Sequence, residues 1–215
     1  SFAFIIAREI SLIEANGAAP STIVFPAKHL VDRNTGKVDV GLLTIIKVLT
    51  DQGHFSEQKG NLVIYYADEK ERKNLEQAFA SRELGWISGN TIHKDAAIHL
   101  IERPSTERVA VLFDLNETNK PFADAVLKSN PHQFVALSEE KDIQEDVSPT
   151  VKFALLYAKQ ERKFAVVATE AYTSTVNKTL ASWGLSGLAS IIMVPIRILE
   201  ALRQAILAKQ AETAA

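Results

Sequence analysis

Cysteine is absent from this 215-residue chain, and methionine occurs once, at Met193. The first absence removes disulfides, thiolate nucleophiles and sulfur-ligated metals, but it leaves the redox compartment open, with a cytoplasmic setting preferred. An excess of positive charge is lacking too. Lysine and arginine total 24 against 26 acids, a formal net charge of -2. No long-range field therefore draws in a phosphate backbone, and nucleic acid is not an expected partner. The glycine-rich strings G-x-G-x-x-G and G-x-x-x-x-G-K-S/T do not occur, which removes the usual backbone cradles for nucleotide phosphates. There is also no G-x-S-x-G elbow to expose a serine nucleophile. His29, His54, His93, His99 and His132 lack the paired spacing that gathers metal ligands on one helical face. A zinc-type site is not expected, and each histidine reads as a surface or loop residue.

What is present is an average globular composition, 47% apolar and 23% charged, long enough for one domain with a sizeable core. The opening SFAFIIAREISLIEANG lacks the basic start and small-residue cleavage site of a signal peptide. Its Phe2, Ile6, Ile10 and Ile13 recur at helical spacing up to Gly17, so it is expected to form a helix. Thr22 to Phe25 is a short β-branched and aromatic strand closed by Pro26. A helix follows from Val40 on the stripe Leu42, Leu43, Ile46 and Leu49, and ends before Gly53. Asn61 to Tyr66 reads as a strand covered on both faces. Asp68 and Glu71 form a capping box for the next helix, in which Glu69 and Lys73 are spaced as an ion pair and Leu75, Phe79 and Leu84 face inward. Val109 to Phe113, Gln133 to Leu137 and Phe164 to Ala168 are three further strands. Helices through Val126 and from Ser148-Pro149 separate them. Sustained alternation predicts an α/β fold: a doubly wound, mainly parallel sheet built from right-handed crossovers.

A weak boundary at Trp183-Gly184 divides an α/β domain over 1–184 from a C-terminal segment over 185–215. There Leu188, Ile191, Ile192, Pro195, Leu199, Leu202 and Ile206 run at helical spacing. Too interrupted to span a bilayer of ~20 apolar residues, this stripe predicts an amphipathic helix packed on the same domain. Leu188, Ile191, Ile192, Leu199 and Leu202 are its candidate partner contacts. Trp86 and Trp183 are expected in the core, with interface anchoring as the alternative. Ser138 to Asp146 is expected as a solvated acidic face or a recognition loop.

One string carries chemistry. Val111-Leu112-Phe113-Asp114-Leu115-Asn116-Glu117-Thr118 resembles the haloacid dehalogenase-like (HAD) superfamily, in which an aspartate ends a buried strand. In a second register the whole order of elements is similar to that superfamily. Thr22 to Phe25 resembles its opening strand, Asn61 to Ala67 its second strand, and Lys94 stands near the family lysine. Val109 to Asp114 then resembles its later acidic strand, with Asp114 and Glu117 as retained acids. The resemblance implies a Rossmann-like sheet, but the opening strand should finish D-x-D, and here Pro26-Ala27-Lys28 occupies that place. Tyr66 or Ala67 likewise stands where a hydroxyl is expected. A proline cannot attack, and a lysine ammonium repels Mg²⁺ instead of ligating it.

Three readings follow. The first is a non-catalytic domain, a pseudoenzyme without cofactor or metal, acting as a protein-binding adaptor, complex subunit or homo-oligomer. The second is a Mg²⁺-dependent phosphohydrolase with Asp114 as nucleophile, supported by Lys94, Glu117 or Ser138. The third is a small-ligand sensor binding in a crevice above the sheet, where doubly wound folds carry their sites. Lys28, His29, Asp68, Asp114 and Glu117 are the candidate binding residues.

Overall fold

A computed structural model describes residues 2–17, 19–129, 131–158 and 160–194. The seven strands are β1 (Thr22–Pro26), β2 (Leu62–Tyr66), β3 (Thr91–His93), β4 (Val109–Asp114), β5 (Gln133–Leu137), β6 (Phe164–Ala168) and β7 (Ala189–Met193). They form one sheet in the order β3-β2-β1-β4-β5-β6-β7, and every pair is parallel. The helices are α1 (Phe2–Ala15), α2 (Val40–Asp51), α3 (Glu69–Ala80), α4 (Lys94–Glu102), α5 (Lys120–Lys128), α6 (Lys141–Asp146), α7 (Pro149–Leu155) and α8 (Thr173–Ser182).

Period-2 alternation in the strands divides the core in two. Ile23 and Phe25 of β1, Leu112 of β4 and Val135 of β5 face the layer of α1, α2, α3, α6 and α7. Val24, Val111, Phe113, Phe134 and Phe164 face α4, α5 and α8. Because both faces are covered, the strands carry near-continuous apolar runs in place of a polar alternation. Short-range signals set the helix ends. The Asp39 side chain accepts from Leu42 N at 2.6 Å at the start of α2, and Gly17 takes φ of 72° beyond α1, a left-handed position that favours glycine. The capping box of α3 forms as the sequence predicts, with Glu71 accepting from the backbone of Ala67 and Asp68. Glu69, however, pairs with Arg72 at 2.6 Å, not with Lys73.

The order changes direction between β1 and β4, because β2 and β3 build outward on one side and β5 to β7 on the other. One connection departs from the uniform hand expected of such a sheet. The β5-to-β6 crossover carries α6 and α7 on the α1/α2 face, whereas α5 and α8, which connect strands in the same lateral direction, lie on the opposite face. This crossover therefore has the opposite hand to the others. Packing of Phe153 on α7 against Phe25 and Phe55 holds it there, with ring centroids 5.5 and 6.2 Å apart.

Beyond Trp183 the helical expectation is corrected. Ala189–Met193 pairs with β6 along its whole length, so Ile191 and Ile192 are strand residues packed on opposite faces of the sheet. Leu188 precedes the strand and is exposed. The sheet thus continues across the boundary set at Gly184, and β-branched pairing with a neighbouring strand outweighs the local helical period. Leu199 and Leu202 lie outside the described residues. No described helix is long and apolar enough to cross a membrane.

Candidate functional site

A crevice of about 610 Å³ opens above the C-terminal ends of β1, β2 and β4, where the strand order changes direction. Open parallel sheets place ligands at this position, because the two flanking crossovers leave on opposite faces. Pro26, Lys28, Tyr65, Asp68, Lys94 and Asp114 are among the residues of its floor and walls. A short hairpin closed by the Val31 to Val38 bridge adds Asp32, Arg33 and Asn34 from above.

Asp114, the last residue of β4, sits at the bottom with only 4% of its surface exposed. The 3-10 turn at Ala27–His29 directly after β1 brings two hydrogen-bond donors to it. Lys28 Nζ pairs with Oδ2, and His29 donates from Nε2 to Oδ1 at 3.0 Å. Gln144 of α6 also donates to Oδ1, at 3.4 Å, and Asn119 donates to the Asp114 carbonyl at 2.7 Å. Burial pushes the Asp114 carboxyl up. The hydrogen bond from His29 and the Lys28 ammonium pull it down and prevail, leaving it well below the usual carboxylate range.

Behind His29 stands Lys152 of α7, 1% exposed, with Nζ 3.2 Å from His29 Nδ1. An ammonium has no lone pair, so Nδ1 accepts and the ring proton sits on Nε2, where it donates to Asp114. Burial is the largest influence on both bases. It lowers His29, keeping the ring neutral, and lowers Lys152 to about 8. The sequence expectation puts each histidine at the surface or in a loop and does not include Lys152. His29 in the 3-10 turn and His132 between α5 and β5 lie in connections, but both are buried. The signal for Lys152 was its position as the lone charge in the apolar run Val151 to Ala158.

The other acids of the crevice are engaged by their own neighbourhood. Asp32 accepts from the backbone of Asn34 and Thr35, Asp68 caps α3 and meets Arg33, and Glu71 closes the capping box. Lys94, at the start of α4, differs. Half-buried, it donates to the Thr118 carbonyl at 2.7 Å and pairs with no carboxylate among the described residues. Burial lowers its ammonium from the usual lysine range.

Of the sequence candidates, Lys28, Asp68, Lys94 and Asp114 line this crevice, and His29 lies buried against Asp114. Glu117 does not join them, because it accepts from Trp183 Nε1 at 3.0 Å and ties α5's approach to α8. Ser138 is fully buried beside Glu140, and the stretch after it is not a loop, since Lys141–Asp146 forms α6 with Ile143 in the core. Trp183 is buried.

The donor set does not fit Mg²⁺. Both oxygens of Asp114 are taken by Lys28 and His29, and the other acids lining the crevice, Asp32, Asp68 and Glu71, accept from backbone amides. No family model, curated protein or solved structure matches this chain.

Proposed function

We propose that the chain is a non-catalytic small-ligand-binding domain, whose crevice seats the ligand by an anionic end against Lys94. Lys94 is the single observation that carries this reading: a half-buried ammonium without a carboxylate partner among the described residues, on the wall of the crevice at the switch point. The engagement of Asp114 by Lys28 and His29 supports the absence of hydrolysis, because a carboxylate held by two donors is neither a free nucleophile nor a metal ligand.

Calorimetric titration with inorganic phosphate or sulfate tests it. Lys94→Met is expected to weaken binding about tenfold, the loss of one charge-assisted hydrogen bond worth ~1.5 kcal/mol. Equal affinity in parent and variant would remove the assignment. Mg²⁺-dependent release of phosphate from p-nitrophenyl phosphate that disappears in Asp114→Asn would restore the hydrolase reading.

A separate observation favours protein binding as a second role. Phe4, Ile5 and Leu12 share the outer stripe of α1 and are 58%, 60% and 40% exposed. Self-association in sedimentation, abolished by Phe4→Ser with Ile5→Ser, is the expected result. A parent chain that sediments as a monomer at every concentration argues against the homo-oligomer.

A further inference from the structure

Three groups contributed by different elements form one buried line beneath the crevice. Lys152 comes from α7, His29 from the turn after β1 and Asp114 from β4, and all three are at most 7% exposed. The line ends at the crevice wall, where Asp114 holds Lys28, a side chain 53% exposed. Its hydrogen-bond polarity is fixed from the inner end. The Lys152 ammonium makes Nδ1 an acceptor, the proton therefore stays on Nε2, and Nε2 donates to Asp114.

We propose that Lys152 is a positioning residue that acts through His29 on Asp114 and Lys28, so that ligand affinity in the crevice responds to proton loss inside the domain. The inference rests on the crevice being an anion site. The groups facing Lys152 are His29 and Lys28 from the turn after β1, Asp114 from β4 and Asp39 from the start of α2. Two of these are acids and one is a second ammonium. Loss of the Lys152 proton leaves Asp114 and Asp39 with less opposing charge. Lys28 is then held more firmly against Asp114 and is less available to an incoming anion. Because burial holds Lys152 to about 8, the change falls within an accessible pH range. Binding and protonation are linked reciprocally: an anion in the crevice must raise the proton affinity of Lys152.

Nitrogen-15 NMR of the histidine rings tests the relay without any ligand. In the parent, His29 is expected as a single Nε2–H tautomer between pH 7 and about 8. In Lys152→Met, which removes the inner donor while Asp114 still requires the Nε2 proton, a gain of imidazolium is expected at the same pH. Titration with sulfate, whose charge is constant across this range, tests the coupling. Parent affinity is expected to fall at least about fivefold from pH 7 to about 9.5, the lower end of ordinary site-to-site coupling. The fall should be clearly smaller in Lys152→Met, leaving only what Lys94 and Lys28 contribute.

An Nδ1–H tautomer in the parent, or ordinary titration of His29 near its usual value, overturns the relay even where sulfate binds. The parent measurement needs no variant to fold. A single Nε2–H tautomer without sulfate binding at any pH overturns the anion site and the coupling while leaving the relay standing. Equal pH slopes in parent and Lys152→Met overturn the coupling alone.

Discussion

Asp114→Ala is expected to lose about 3–5 kcal/mol of folding stability, the usual result of removing one partner from a buried charge pair. Most of that loss comes from the inner side. Lys28 is half-exposed and can rehydrate, but Lys152 is buried, and of the two acids facing it only Asp39 would remain. Lys28→Met should cost less, about 1–3 kcal/mol, because it leaves one buried Asp114 oxygen without its donor while His29 keeps the other. Urea titration of the two variants gives the comparison. The same residue shapes the acid limb. Its folded-state proton affinity is lowered, so below the ordinary aspartate range near 3.8 the unfolded chain binds a proton that the folded chain still refuses. The contribution of Asp114 is therefore complete above that range and is lost as pH falls through the lower folded value. A parent and an Asp114→Asn variant with the same acid slope would show that Lys28 and His29 do not hold the carboxylate.

Phe134→Ala should be comparably severe, about 3–5 kcal/mol, for a different reason. Phe134 stands between Phe113 and Phe164, with ring centroids 4.6 and 4.0 Å away, so three adjacent strands meet through one ring. The series continues through Phe122 to Tyr65, whose hydroxyl donates to the Leu112 carbonyl at 2.7 Å. Truncation leaves a cavity in the middle of this row, which fully buried neighbours cannot readily fill. Phe134→Leu keeps most of the volume and is expected to cost roughly 1–2 kcal/mol. Thermal or denaturant unfolding of the pair checks both values, and equal losses would mean that aromatic contact, not volume, dominates.

The parts of the fold legible in the sequence are those with local causes. Thr22 to Phe25, Val109 to Phe113 and Phe164 to Ala168 carry apolar runs too short for helices, and Asp68 with Glu71 marks the start of α3 without any tertiary context. The three-residue β3 has no such run, and α8 is written in threonine, serine and asparagine with only Val176 and Leu180 buried. Neither gives a periodic signal. At β7 the local signal was misleading, since Ile191, Ile192 and Pro195 also fit a helical stripe, and pairing with β6 decided the outcome.

The site divides in the same way. Lys28, Asp68, Lys94 and Asp114 were legible because each stands at or just beyond a strand end, where doubly wound sheets carry their chemistry. His29 was singled out without its depth. Lys152 was not seen, because its meaning depends on a ring 123 positions away in the chain.

That separation bears on how the protein reaches its native state. In the native fold α7 packs on the turn after β1 and on α2, and its Lys152 meets His29 across 123 positions of chain. Closing so long a span carries an entropic cost that only the completed packing of Phe153 and the Lys152 contact offsets. Contacts of that span raise the contact order, which slows folding as a whole. The inner end of the polar line thus rests on one long-range contact, and the charge arrangement of the crevice depends on segments far apart in the chain.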